Sequence, residues 1–536
     1  MQTAVSPVTN RRQSSLGLLA SHVRIEAPSL TDCATALLSS VLLILSFPDF
    51  DFWPLAWIGM MPLLLVVARR PSPVRAFALG WLAGSVFFYG SCYWLTYSMI
   101  HFGGLPAWLA YLLLVPGAIV LGLFPGGFAL ILALALRRWR NKALFLAPFI
   151  WTAFEWARLE VTGQLWNALG YSQAYQPVLI QTARWGGVYA VGFLLLTVNS
   201  AVTFAALNRC ARAFAISVGV VLVAAIVILL GYATRPGPVG GASSPDLMVV
   251  AIQPNVPVDP SVASSQMREL TAMHISESAK ALQQVPLDQP RLVIWPESPM
   301  NFAYGSDAEL QKLLAEFTQS NHTSLLFNSQ ERAPGNGLYN SAILLNEEGR
   351  EISQYDKIRL LPFGEYVPLP RWVPGASLIT AIVGDFTAGD KYTLLQVGKI
   401  RAGVFICIES AYPSIARTLT GKGADVLINI SNDGYLGPTA VMRQHLANAI
   451  FRAVENGRPL LRVTNSGISA YVTATGEVKD ETGSFQRAVR NWSVGRGVER
   501  MTVYSRYGDA FPALTALTTA LAFGLALWGT KKESRG

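Results

Sequence analysis

The stretch Ala402-Gly-Val-Phe-Ile-Cys407-Ile-Glu-Ser-Ala-Tyr-Pro413 decides how the chain is read. Val404 to Ile406 is a β-branched and aromatic run that predicts a buried strand, and it stops at a cysteine. Glu409 follows two residues later, and Pro413 closes the extended run. A cysteine in an apolar strand is ordinarily a small core residue. At the end of a buried strand, however, a side chain is held rigidly and faces a cleft, where reactive groups sit. The sequence on either side has to choose between the two.

Of 536 residues, 51% are hydrophobic and 14% charged, against about 25% charged in soluble domains. The deficit is local. Residues 1–236 carry 15 Lys and Arg against 6 Asp and Glu, among long apolar runs, whereas residues 237–510 carry 24 against 26. The chain therefore divides into a membrane part and a globular part. The overall net charge of +9 is no sign of nucleic-acid binding, because the basic residues flank apolar segments. The four cysteines make no disulfide framework: Cys33 and Cys92 lie in apolar runs and Cys210 in a basic loop, which leaves Cys407 a free thiol.

A spanning helix needs about 20 mostly apolar residues. Seven runs qualify before the globular part, at 33–47, 52–67, 76–95, 105–136, 143–156, 189–207 and 213–232, and an eighth follows it at 511–528. The first, second and fifth are short and the fourth is long. Positive charge falls in alternate connections: Arg11, Arg12 and Arg24, then Arg69, Arg70 and Arg75, then Arg137 to Lys142, then Arg209 and Arg212, and finally Lys531, Lys532 and Arg535. Positive loops face the cytoplasm, so both termini are expected inside and the globular part outside. Splitting the fourth run would put Arg137 to Lys142 on the wrong side, so one long helix is expected, with Pro116 or Pro125 as a kink site. No cleavable signal peptide is expected, since His22, Arg24 and Glu26 interrupt the stretch after Arg11-Arg12. The loop 158–188, with Trp166, Tyr171, Tyr175 and Trp185, reads either as an interfacial aromatic belt or as a lipid-facing wall beneath the globular domain.

The resulting divisions are a cytoplasmic tail at 1–32, a seven-helix membrane domain at 33–234, and a Pro/Gly/Ser linker at 235–246. A catalytic domain at 247–500 follows, then a return segment and helix at 501–528, and a tail at 529–536. Within the globular part, strands at 247–252, 291–295, 324–328, 404–406 and 424–430 alternate with helices at 266–284, 308–319 and 440–455. A hairpin at 338–355 interrupts them, and strands at 460–464 and 469–475 finish the sheet. Three polar motifs follow buried strands: Glu297 after Val293-Ile-Trp-Pro, Cys407, and Asn432-Asp433. That recurrence predicts one catalytic edge of an α/β sandwich.

A cysteine nucleophile needs a base or a positive neighbour. Of the histidines in this part, His274, His322 and His445, none follows a buried strand, which weakens a cysteine–histidine protease reading; His445 reads as a hydrogen-bonding residue on a helix face. A buried carboxylate can serve as the base instead, and Glu297 is suitably placed. Lys357 can support a thiolate and a developing oxyanion.

Trp-Pro-Glu297, Lys357 with Leu361-Pro-Phe-Gly-Glu365, and Cys407-Ile-Glu409 occur in that order, and this resembles the nitrilase superfamily with its Glu–Lys–Cys triad. Asn432-Asp-Gly-Tyr-Leu-Gly437, Gln444-His445-Leu446, Arg452-Ala-Val-Glu-Asn-Gly457 and Thr464-Asn-Ser-Gly-Ile468 strengthen the match. With the membrane helices, the whole chain resembles the apolipoprotein N-acyltransferase family. Leu361 to Pro368, Tyr504-Ser-Arg-Tyr-Gly-Asp509, Glu155, Arg158 and Ser172-Gln173 are family-like. The sequence departs from the family's pattern at Ile408, where an aromatic is common, and at Tyr435-Leu436 within Asn432 to Gly437, where the family's usual residues are Trp-Phe.

The resemblance implies a multi-pass α-helical membrane domain of about eight helices carrying an extracytoplasmic nitrilase-like αββα sandwich. It implies location in the bacterial inner membrane with the catalytic domain periplasmic, a phospholipid acyl donor, a diacylglyceryl-apolipoprotein acceptor, membrane lipids as surroundings, and no nucleic acid, metal or organic cofactor. It implies Glu297, Lys357 and Cys407 as catalytic residues. Glu365, Glu409 and Asn432 are supporting ones, the two glutamates orienting Lys357 or Glu297, shaping the pocket, or forming a structural ion pair. Two rivals remain: a membrane-tethered amidase using water, and a transporter with an inactive sensor domain. The scarcity of ionisable groups in the apolar runs speaks against the transporter.

Overall fold

The computed structural model describes residues 27–163, 165–237, 246–258, 264–297, 301–335, 337–362, 364–367, 386–497 and 500–533. The expected N-terminal tail through residue 26, with Arg11, Arg12 and Arg24, lies outside the described residues, as do most of the linker, Phe363 and Pro368 of the glutamate loop, and Arg535.

The helical half comprises α1 (Leu30–Ser46), a 3-10 turn (Trp53–Trp57) leading to α2 (Met61–Arg69), α3 (Pro73–Ser91), α4 (Leu95–His101), α5 (Ala107–Trp139), α6 (Ala147–Thr162), α7 (Ala183–Asn208) and α8 (Ala211–Ala233). Ser29 and Asp32 form a capping box that starts α1. The fourth apolar run is one 33-residue helix holding both Pro116 and Pro125, and Arg140 at φ 51° ends it. A Cβ on Gly80 would stand 2.4 Å from the Pro125 carbonyl oxygen, and one on Gly84 2.6 Å from the proline ring, so only glycine lets α3 and α5 approach this closely. Four described stretches are long and apolar enough to cross a membrane, and five if α3 and α4, bent by 52°, make one span. The first two runs are shorter: a 17-residue helix and a helix broken after Trp57.

The α/β half contains two six-stranded sheets. The first joins β1 (Leu247–Gln253), β2 (Arg291–Ile294), β3 (Ser324–Arg332), β4 (Leu338–Leu345), β5 (Glu351–Asp356) and β12 (Ala488–Val494) in the order β12-β1-β2-β3-β4-β5. The second joins β6 (Leu394–Val397), β7 (Ile400–Ile406), β8 (Val426–Ser431), β9 (Leu460–Thr464), β10 (Ala470–Val472) and β11 (Val478–Lys479) in the order β11-β10-β9-β8-β7-β6. The central trio of each sheet is parallel. Leu292 and Ile294 of β2 face inward to Val404 and Ile406 of β7 in one buried cluster. Val293 between them points outward, to a cluster with Leu314 and Phe317 of α10 (Ala308–Asn321). With α9 (Ser264–Leu282) beside α10, and α11 (Pro413–Gly421) and α12 (Val441–Asn456) on the second sheet, the layers run αββα.

Two local expectations change. The strand expected at 469–475 does not finish the domain: β12 runs back to pair antiparallel with β1, Val494 opposite Leu247. Pro413 opens α11, a position that suits its fixed φ and missing N–H.

The chain then turns through α13 (Val503–Tyr507) into α14 (Ala510–Glu533), which packs on α6 and α5. The α/β half is seated on the bundle through α12. The Gln444 side chain accepts from Trp94 Nε1 (3.1 Å) and Trp166 Nε1 (2.9 Å) and donates to the carbonyls of Pro48 (2.9 Å) and Ser91 (3.1 Å). Tyr175 OH donates to the Arg443 carbonyl, and Arg443 pairs with Asp51 at 2.9 Å. Helix α7 breaks at Gly186-Gly187, and the Val188 N–H freed there donates to Glu455 Oε1 of α12 at 2.8 Å. Of the aromatic loop, Trp166 and Tyr171 are buried in this seam, while Trp185 is partly exposed.

Candidate active site

Four strand ends converge between the sheets. β2 delivers Glu297, β5 delivers Lys357, β7 delivers Cys407 and β8 delivers Asn432. Lys357 is 1% exposed and donates to Glu297 Oε1 at 3.2 Å and to Glu365 Oε1 at 2.9 Å. Asn340 Nδ2 of β4 donates to the same two oxygens, at 2.9 and 2.8 Å, and its own Oδ1 accepts from Asn328 Nδ2 of β3 at 2.7 Å. The Asn432 N–H donates to Glu297 Oε2 at 3.0 Å, and the Leu361 N–H to Glu365 Oε2 at 2.7 Å. Both carboxylates are thus held by charge-assisted bonds from several directions. Burial opposes the charge on Lys357, but Glu297 and Glu365 outweigh it and hold the ammonium pKa well above its usual range.

Glu409 has a different role in the geometry. Its Oε1 accepts from the N–H groups of Ile358 (2.8 Å) and Arg359 (3.0 Å), its Oε2 from that of Ile406 (2.7 Å), and both from Tyr355 OH (2.9 Å each). One side chain therefore staples the residues after Lys357 to the residue before Cys407. Burial pushes its pKa up to about 7 against these bonds.

Cys407 is a partly exposed free thiol at φ 53°, a left-handed conformation that a residue with a Cβ adopts only when its surroundings impose it. Burial and the Glu297 carboxylate raise its pKa, and Lys357 lowers it. The resting group is a protonated thiol beside a carboxylate, which calls for a base rather than a preformed thiolate.

Of the residues singled out from sequence, Glu297, Glu365 and Lys357 form one contact cluster, Asn432 reaches it through its backbone, and Glu409 stands apart as the staple. Sequence reading missed Asn340, Asn328 and Tyr355. Asn328 directly after the apolar Leu325-Leu-Phe327 of β3, and Asn340 just ahead of the apolar Ala342-Ile-Leu-Leu345 of β4, were the available signals.

Residues 262–491 match the carbon-nitrogen hydrolase family, which with the paired sheets defines a nitrilase-superfamily enzyme domain appended to an apolar helical bundle. Residues 39–201 match the apolipoprotein N-acyltransferase N-terminal domain. The chain is 35% identical over 513 residues to the apolipoprotein N-acyltransferase of Geobacter metallireducens, covering 92% of this chain and 95% of that one. It is 31% identical over 510 residues to that of Pseudomonas syringae pv. tomato, covering 92% and 96%. Among solved structures, an amidase from Nesterenkonia sp. aligns at 18% identity and TM-score 0.36, covering 51% of this chain and 97% of that one. The chain belongs to the apolipoprotein N-acyltransferase family and is an acyltransferase.

Proposed function

We propose that the enzyme moves an acyl chain from a phospholipid to the α-amine of the diacylglyceryl-cysteine at a lipoprotein's N-terminus, through a thioester on Cys407. Glu297 takes the Cys407 proton. The thiolate attacks the phospholipid ester carbon, and Lys357 stabilises the oxyanion. The tetrahedral intermediate collapses to the thioester, and the lysophospholipid leaves with the proton held by Glu297. Glu297 then takes a proton from the incoming amine, which attacks the thioester and restores the thiol. The observation that carries this reading is the buried Lys357 with Glu297 on one sheet, facing a thiol forced to φ 53° on the other.

The apolar runs are read as eight crossings of the bacterial inner membrane, with the α/β domain periplasmic. Supporting this, Pro48 and Trp166 both meet Gln444 of that domain and lie in connections expected on the outer side, and Ser91, which also meets it, closes α3 at the end expected to be outer. The test is intact mass spectrometry of purified protein after incubation with phospholipid, followed by addition of a diacylglyceryl peptide. An acyl adduct on Cys407 that is discharged to the peptide amine is expected. No adduct, or discharge only to water, would reject the reading.

A further inference from the structure

The Cys407 carbonyl oxygen is gripped from two sides. His445 Nε2 of α12 lies 3.0 Å from it, and Asn429 Nδ2 of β8 donates to it at 3.3 Å. Both arms start from one residue. Arg462 of β9 is fully buried, and its guanidinium donates to Asn429 Oδ1 and, at 2.6 Å, to Asp433 Oδ2. Asp433 Oδ1 lies 2.9 Å from His445 Nδ1 and also accepts from Ser431 Oγ at 2.8 Å. The planar guanidinium fixes both arms at once, as a lysine in its place would not. A carbonyl can only accept, so the His445 contact is made by a proton on Nε2.

Gripping a carbonyl also orients the N–H of the next residue, since in a trans peptide the two point in opposite directions. The N–H so aimed is that of Ile408, directly after the nucleophile. We propose that His445 is a positioning residue: with Asn429 it holds the Cys407–Ile408 peptide so that Cys407 keeps its left-handed conformation and the Ile408 N–H faces the developing oxyanion beside Lys357. The inference rests on acyl transfer through Cys407. Oxyanion donors act only when they lie 2.7–3.1 Å from where the charge develops, so a small rotation of this peptide removes the benefit without removing the group.

The experiment compares two reactions of Cys407 in detergent-solubilised full-length protein. Thioester formation with phospholipid passes through an oxyanion, whereas alkylation by iodoacetamide is a direct displacement that does not. Wild type, His445→Leu and His445→Gln are measured in both, with thermal unfolding as a check on folding. His445→Leu is expected to slow maximal thioester formation about 10- to 100-fold, with half-saturation by phospholipid and the alkylation rate each within about threefold of wild type. His445→Gln, which keeps an N–H donor in reach of the carbonyl, is expected to recover at least half of the lost activation free energy. Thioester formation at the wild-type rate in His445→Leu overturns the proposal. So does an equal fall in alkylation and thioester formation, or a His445→Gln variant as slow as His445→Leu at wild-type unfolding temperature. If wild type itself forms no adduct, it is the acyl-transfer reading that fails.

Discussion

Replacing Tyr355 by phenylalanine removes one hydroxyl and leaves the packing of a fully buried ring intact. The hydroxyl lies 2.9 Å from both Glu409 oxygens, so the variant deletes one donor to a buried carboxylate that keeps three backbone donors. A hydrogen bond to a charged group contributes about 1.5–3 kcal/mol, which for a unit of this size corresponds to a fall in Tm of roughly 3–12 °C. The loss depends on pH in a fixed direction. The folded pKa of Glu409, about 7, lies above its unfolded value. Its contribution to stability is therefore complete below about pH 4.3, the ordinary glutamate value, and is lost as the pH rises through about 7. Without the phenol the ionised form has one donor fewer, its pKa rises further, and that loss deepens. The Tm difference between wild type and Tyr355→Phe should thus be larger at pH 8 than at pH 5, measured by thermal unfolding in detergent. An equal difference at the two pH values, or a larger one at pH 5, would refute the assignment of Glu409 as a charged staple.

Lys357→Arg should lose on the order of 100- to 1000-fold in thioester formation, because the planar fork cannot place a compact ammonium's donors between Glu297 and Glu365; near-normal turnover would make Lys357 a purely structural cation. The iodoacetamide rate of Cys407 should keep climbing through pH 8.5, the ordinary thiol range of about 8–9, because the resting thiol pKa is raised; a plateau near neutrality would show a preformed thiolate instead. A cysteine introduced at Ser320, on the outer face of α10, should react with an impermeant maleimide in intact spheroplasts, and protection until lysis would reverse the proposed orientation. Gly187→Val should destabilise the protein by several degrees, since φ 68° disfavours a side chain and the new Cβ would lie 2.8 Å from the Tyr504 ring; an unchanged Tm would show that the break in α7 relaxes freely.

Glu297, Lys357 and Cys407 were legible in the sequence for a local reason. A buried strand announces itself by its apolar run, and the first polar residues after it are fixed by the chain at the sheet edge, whatever the rest of the fold does. The longer apolar runs were legible in the same way, because about twenty residues without charge have few other uses. The partners of those residues carry no such local signature. Asn340 meets Glu297 across 43 residues, Tyr355 meets Glu409 across 54, and Asn432 meets Glu297 across 135. The first exists only once β2 and β4 flank β3 in one sheet, and the other two only once the two sheets face one another; nothing near Asn340 or Tyr355 in sequence marks the distant carboxylate it will bond.

The same division explains His445 and the aromatic loop. By itself the sequence determined that His445 lies on a helix and that Trp166 and Tyr171 lie in a long connection rich in aromatics. That the helix crosses behind Cys407, and that the same helix carries Gln444 into the seam between bundle and sandwich, was decided by packing alone. A hydrogen bond is directional over about 3 Å, so whether a buried polar side chain finds its partner depends on tertiary placement to a fraction of an ångström. Hydrophobic burial is non-directional and scales with area, so it can be read from the order of residue types along the chain.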